Sequence, residues 1–510
     1  MKKYSDLEYL KLPKWHRFLY TLICLIVGIP SGIWNFIKKI GKMVAQLGKR
    51  IADEIVDIFV TFKEGDWKTR VSYLIMGFGC LARGQILRGL LFLLMEVVFI
   101  VYMATSGIKW ISQLPHLGLV GPVEEYNPIY DQYVTTYHDN SFKILLYGVL
   151  TIFFIIALIV TWRLNIKQNK IAQQIIASGK KLRSGKDDLR SLVDDQFHKT
   201  LLSLPLLGIL VFTVMPIVFM ILVAFTNYDS MHDGYVNNLF DWVGMDNWNT
   251  MLSWGDGNVK YSATLGEILT WTMIWAFFAT FSNYFLGMGV AMMINKNGIK
   301  LKKFWRTCLV MTIAVPQFIS LLYVSKMFAP NGIVNGFLKE MGWIENVLPF
   351  WTDATWAKVS VIIINIWIGI PHLMLMATGI LMNIPADLYE SAKIDGAGPW
   401  KQYTKITLPY MLFVTGPYLL TSFIGNMNNF NVIYLLSGGG PSNLDAAGVL
   451  GAPGETDLLI TWLFKMITTS EPAAYNLASV IGIIVFVVVA GISLIVYNVM
   501  PSTRNEEDFQ

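Results

Sequence analysis

The feature that most constrains this chain is the recurrence of apolar runs long enough to cross a bilayer. A helix needs about 20 mostly apolar residues to span the hydrocarbon core. Eight stretches qualify: 86–105, 144–162, 201–225, 268–294, 306–328, 357–383, 409–434 and 475–499. Of the 510 residues, 54% are hydrophobic and only 15% charged, against about 25% charged in a soluble globular domain. With a mean hydropathy of +0.49, a set of soluble domains and a disordered chain are both excluded. The expectation is an all-α polytopic membrane protein of about eight spans.

The net charge of +5 matters through its placement, because Lys and Arg near span ends stay on the cytoplasmic side. Segment 163–200 carries Arg163, Lys167, Lys170, Lys180, Lys181, Arg183, Lys186, Arg190 and Lys199, and the loop near 295–306 carries Lys296, Lys300, Lys302, Lys303 and Arg306. Both are assigned to the cytoplasm. By alternation, 106–143, 226–267, 329–356 and 435–474 lie outside, and both termini lie inside. The outer segment 226–267 is acidic (Asp229, Asp233, Asp241, Asp246, Asp256) and aromatic (Tyr228, Tyr235, Phe240, Trp242, Trp248, Trp254), as an interfacial belt would be. Residues 18–37 are apolar but have Lys and Arg on both sides, which favours an additional N-terminal helix in the interface over a span. The short run 71–82 is expected to be an interfacial lead-in to the first span. No long loop alternates strand and helix patterns, so no folded soluble domain is expected.

Little in the chain suggests covalent chemistry. Cys24, Cys80 and Cys308 are too few for a disulfide framework or a zinc site and read as small buried hydrophobes. Ser178 to Asp187 resembles a phosphate-binding loop, but five residues separate Gly179 from Gly185 and Asp187 follows Lys186 where Ser or Thr is needed. It reads as a solvated basic loop. The histidines, among them His138, His198, His232 and His372, are scattered with no HExxH pattern. Glu96, inside the first span, is costly in lipid; as no second intramembrane carboxylate accompanies it, a hydrogen bond across the bundle explains it better than a proton relay.

The informative loop is neutral. From Asn383 to Pro409 it reads as a short amphipathic helix on the cytoplasmic face, started by Pro385, with Asp387 at its positive end and Gly396 as the stop. Within it, Glu390-Ser391-Ala392, then Gly396, then Ile406-Thr407-Leu408-Pro409 resemble the EAA loop of ABC importer permeases, with Ser391 in place of the first Ala. Asp395-Gly396-Ala397-Gly398-Pro399-Trp400 narrows the resemblance to sugar importers. Ser422-Phe423, Asn428-Asn429-Phe430, Gly439-Gly440-Pro441 and Thr456-Asp457-Leu458-Leu459 are similar to the larger permease of maltose/maltodextrin systems. The likeness runs from about Trp242 to Tyr497.

This resemblance implies a type I ABC importer transmembrane fold. The chain would pair with a second, MalG-like permease, two copies of a cytoplasmic ABC ATPase that bind ATP and magnesium, and an extracytoplasmic sugar-binding protein; no nucleic acid and no cofactor of its own is implied. Glu390, Ser391, Ala392, Asp395 and Gly396 would couple to the ATPase. Ile368, Gly369, His372, Ser422, Gly425, Asn426 and Asn429 match positions lining the sugar site. Gly425 replaces an aromatic ring and His372 a tyrosine, which implies a different or longer sugar than maltose. Ser422, Asn426 and Asn429 recur at i, i+4 and i+7, one helical face, and Pro371 is expected to break its helix and expose backbone. Phe240 to Gly244 resembles a stretch facing the binding protein. Segment 106–143 is short beside the large folded outer insertion of the best-known members, which fits a single-membrane bacterium. The implied organisation is an N-terminal region 1–70, accessory spans 71–200, a span with outer segment 201–267, a permease core 268–500 holding the loop 385–409, and a cytoplasmic tail 501–510. The rivals are an ion-coupled secondary transporter and a membrane glycosyltransferase.

Overall fold

A computed structural model describes residues 38, 41–43, 45–232, 238–252, 260–296 and 298–499. The 18–37 stretch, Cys24, Tyr235, Trp254 and the 501–510 tail lie outside the described residues. In chain order the principal helices are α1 (Ile86–Gln113), α2 (Ser141–Ala177), α3 (Phe197–Val223), α4 (Tyr261–Asn295), α5 (Lys302–Ala314), α6 (Gln317–Met327), α7 (Ala354–Leu381), α8 (Ala386–Ile394), α9 (Pro399–Met427), α10 (Phe430–Ser437), α11 (Leu459–Thr468) and α12 (Tyr475–Val499). Among the described residues seven helices are long and apolar enough to cross a membrane, or eight if α5 and α6 count as one bent span.

Two apolar runs depart from the straight spans the sequence suggests, and a third stays straight where a break is expected. The 306–328 run turns by 89° between α5 and α6. Pro316 has no N–H to give, and its ring drives Val315 to extended backbone (φ −81°, ψ 126°), as it does for a residue preceding proline. The 409–434 run ends at Met427 and restarts at Phe430, where the Asn429 side chain accepts from Val432 N at 3.3 Å. Asn429 therefore caps a new helix and does not continue the Ser422–Asn426 face. Pro371, by contrast, sits inside an uninterrupted α7 and is buried there.

The chain divides into two compact units, 1–109 with 150–207 and 110–149 with 208–510. In the first, a helix over 45–64 accompanies the charged extension of α2. The 66–85 stretch is more than a surface lead-in: Ser72, Met76 and Cys80 are buried, and its irregular backbone is satisfied by side chains, Gly77 N donating to Asn165 at 3.0 Å and Met76 N to Glu96 at 2.7 Å. An unwound segment must find such acceptors where water is absent, so Glu96 has the structural role favoured above. Arg83, its side chain 1% exposed, pairs with Asp66 at 2.5 Å. The phosphate-loop look-alike resolves into two caps: Gly179 has φ +71°, and Ser184 forms a capping box with Asp187 ahead of a helix at Gly185–Val193. The basic segment 163–200 is thus largely helical.

The second unit centres on α4 and α7, which bury 39% of their apolar windows, whereas α1 and α3 bury 6%. A Cβ on Gly369 would lie 2.6 Å from the Asn283 side chain, and one on Gly287 would lie 2.6 Å from Leu373. Asn283 meets Gly369 and Gly287 meets Leu373, four residues on in each, so the two helices run parallel at close approach, a small-residue contact typical of membrane helices. One apolar cluster (Trp271, Trp275, Leu321, Val361, Val432) ties α4 to α6, α7 and α10, another (Tyr284, Met288, Met374, Met411) ties it to α7 and α9, and a third joins α11 and α12 through Trp462 and Ile481.

Two expectations fail locally, the aromatic belt and the buried Cys308, and one outer segment adds a detail the sequence did not suggest. Segment 106–143 contains an antiparallel hairpin, β1 (Val123–Asn127) with β2 (Gln132–Thr136), favoured by the β-branched and aromatic residues there. In the 226–267 segment Tyr228 and Phe240 are buried with Ile144 and Leu145, and Trp242 donates to Leu114 O at 3.0 Å; these rings form a core, not a belt. Cys308 is exposed, because α5 buries none of its residues.

Candidate functional site

The bend between α5 and α6 creates the site. A cavity of about 450 Å³ lies against it, lined by Thr312, Pro316, Gln317 and Ser320 from the bend and by Trp367, Ile368, Gly369 and His372 from α7. Three of the sequence-assigned residues, Ile368, Gly369 and His372, thus come together. Gly369 serves chiefly to let α7 approach Asn283, which places Ile368 and His372 at the rim. His372 is exposed on an otherwise buried turn of α7 and has no hydrogen-bond partner among the described residues, so its ring is available to a ligand. Thr312, Gln317 and Ser320 were missed by the sequence reading; a polar triad around a proline inside an apolar run is the signal that could have found them.

The α9 residues form a second group outside that cavity's lining. Asn426 is engaged within the chain: Nδ2 donates to Thr280 Oγ1 at 3.0 Å, Oδ1 accepts from Asn429 at 3.2 Å, and its carbonyl accepts from Trp275 Nε1 at 3.0 Å. In this state it is interhelical glue. Ser422 is half-buried on the same helix. A Cβ at Gly425 would meet no heavy atom within 4 Å, so the position is open on this chain. The cavity and the α9 group each present a partial set of polar atoms beside apolar surface, the chemistry that holds a neutral hydroxylated ligand.

The 385–409 loop is a separate element. α8 is exposed along most of its length, with Glu390, Ser391 and Asp395 in solvent and Ala392 partly covered. Asp387 lies in its first turn and Lys393 in its last, both favourable to the helix dipole. It ends in a Schellman turn: Ala397 N donates to Ala392 O at 2.8 Å and Gly396 N to Lys393 O at 3.0 Å, with Gly396 at φ +74°, a conformation natural to glycine. A Cβ there meets nothing within 4 Å, so the glycine is needed for the turn and not for a close contact inside this chain. Tyr389 anchors the helix through Thr407 at 2.9 Å. Leu388 is 49% and Ile394 87% exposed, leaving an apolar knob beside Glu390. Because α4 and α7 are parallel, and Asn295 Nδ2 reaches Thr378 at 3.2 Å, α8 projects from the same end as the basic 296–306 loop.

The exposed α8 and the cavity at a bent span fit the ABC importer permease class that the sequence resembles. Residues 283–505 match the model of the binding-protein-dependent transport system inner membrane component. The chain belongs to this family of permeases. It is 33% identical to the maltodextrin transport system permease protein MdxF of Bacillus subtilis (strain 168), over 86% of this chain and 97% of that one. It is 31% identical to the maltodextrin transport system permease protein MalC of Streptococcus pneumoniae serotype 4, over 85% and 96%. The galactooligosaccharides transport system permease protein GanP of Bacillus subtilis is 32% identical over 72% and 85%. The chain is a multi-pass membrane subunit and not an enzyme.

Proposed function

We propose that this chain is one half of the translocation pathway of an ATP-driven, binding-protein-dependent importer of maltodextrin-like oligosaccharides. Its complement is a second, MalG-like permease, two ABC ATPases that bind ATP and magnesium, and an extracytoplasmic sugar-binding protein. The observation that carries this reading is the exposed α8 knob ending in the Gly396 turn. In this role Glu390, Ser391, Ala392, Asp395 and Gly396 form a contact with the ATPase that differs between the two access states, which is the physical requirement for nucleotide bound there to shift the conformational equilibrium. In this reading α8 and both termini face the cytoplasm, which the positive charge of the loops at 163–200 and 296–306 supports, and the permease core comprises 268–500.

The sugar is held by Ile368, Gly369 and His372 at the bend, together with Gln317 and Ser320. Ser422, Gly425 and Asn426 from α9, with Asn429 at the cap of α10, complete the site when the second permease closes it. Asn426 then exchanges its Thr280 bond for a sugar hydroxyl. An ion-coupled transporter is less well supported, since Glu96 is occupied by a backbone N–H. The test is proteoliposome uptake with all subunits present: Glu390→Lys should abolish ATP-driven uptake and the sugar-stimulated part of ATP hydrolysis while the permeases still assemble. Uptake at the unmodified rate, or uptake driven by an ion gradient without ATP, would overturn the assignment.

A further inference from the structure

The 45–64 helix is built inside out relative to a surface helix in water. From Ile51 to Phe62 its polar residues Asp53, Glu54, Asp57 and Thr61 share the side that meets α2. Glu54 and Asp57 each pair with Arg163 at 2.5 Å, Asp57 also pairs with Lys170, and Thr61 is buried. The rest of the circumference is apolar and bare: Ile51, Ile55 and Val56 are about half exposed and Phe59 is 71% exposed. A helix in water turns its apolar side to the protein; this one turns its charges there.

Its depth is fixed by α2. Arg163 is the first charge after the apolar run 144–162, so the ion pairs tie the helix to the point where α2 leaves the hydrocarbon. Tyr73 stands at the same level, edge-on to Phe62 at 5.1 Å and to Trp162 at 5.7 Å, as amphipathic rings do at headgroup depth. Beside the helix is a cavity of about 520 Å³ in which Arg50, Arg163, Lys167 and Lys170 outnumber Asp53, Glu54 and Asp57. Arg50 and Lys167 form no ion pair among the described residues, and Nη1 of Arg163 is buried without a hydrogen-bond partner.

We propose that the 45–64 helix lies in the membrane interface with its 51–62 arc against acyl chains, and that Arg50 and Lys167 hold the phosphate of an anionic phospholipid. The bare apolar arc next to the free cations selects a lipid over free phosphate, because only a lipid satisfies both. This goes beyond the importer reading and does not depend on the sugar.

Two measurements on the full chain in nanodiscs of phosphatidylcholine with phosphatidylglycerol test it. Nitroxides are placed by Ile51→Cys, Ile55→Cys and Phe59→Cys in a C24S/C308S background, Cys80 being buried. Collisions with oxygen should exceed those with an aqueous nickel chelate at all three. Higher nickel accessibility, placing the arc in water, or protection from both reagents, placing it under the N-terminal segment or a partner subunit, overturns the interfacial position. In native mass spectrometry Arg50→Gln with Lys167→Gln should lower retained phosphatidylglycerol by about fivefold or more, the effect of one basic residue near an anionic surface. Unchanged retention, or displacement of the lipid by millimolar inorganic phosphate, overturns the headgroup site.

Discussion

At the residue scale, glycines and amides matter more than charge. Gly369 and Gly425 share a side-chain type but differ in environment: a Cβ on the first strikes Asn283, and on the second meets open space. Gly369→Leu therefore tests packing and should destabilise the bundle by about 1–3 kcal/mol, the usual cost of overpacking. Gly425→Phe tests the pathway. The ring fits this chain, so assembly should be normal while transport of longer oligosaccharides falls roughly tenfold relative to maltose, equivalent to about 1.4 kcal/mol. Competition between labelled maltose and maltodextrins of increasing length measures it, and an unaltered length preference removes Gly425 from the sugar path. The identities of these positions were legible from the resemblance. Their roles were not, since a glycine that admits a neighbour and one that leaves a gap read the same in sequence.

At the element scale, irregularities in the helices place the functional groups. The Pro316 bend brings Gln317 and Ser320 to His372; the restart at Asn429 moves that residue off the α9 face; the Gly396 turn sets the orientation of α8. Gly396→Val puts a β-branched residue in the left-handed region, costing about 1–2 kcal/mol locally. It should weaken sugar-stimulated ATP hydrolysis without loss of the permease from the membrane; full stimulation would mean that the turn is not what couples. The 45–64 helix gives a pH prediction. Hydrogen bonds from Lys170 and Arg163 hold the Asp57 carboxyl below its ordinary 3.8. A depressed acid stabilises the folded arrangement above its ordinary value, and that contribution is lost as pH falls through the lower folded one. Detachment of the helix from α2, followed by distance measurements between labels, should thus begin only below about pH 4 and be absent in Asp57→Asn, which is loosened at every pH. Span positions were legible because apolar length is local information. The bend, the restart and the intact helix at Pro371 were not, because whether a proline breaks a helix depends on what satisfies the freed backbone groups.

At the scale of the whole molecule, the two units differ in what each can be asked to do. The second, spanning 110–149 and 208–510, holds the cavity, the α9 residues and α8; the first holds the polar-lined 66–85 turn and the inside-out helix. The cavity at the bend and the residues of α9 are separate on this chain. By itself the sequence determined that the chain is a multi-pass membrane protein, the number and position of its apolar runs, and the family its EAA-like loop resembles. Each depends on residues close together along the chain, where hydrophobic length and charge act directly. Only the tertiary structure decided that α4 and α7 lie parallel in contact, that Asn426 is engaged by Thr280, that Glu96 caps an unwound backbone, and that the aromatics after α3 form a core. Those facts depend on which distant groups compete for the same hydrogen bond or the same few cubic ångströms, and only packing settles that competition.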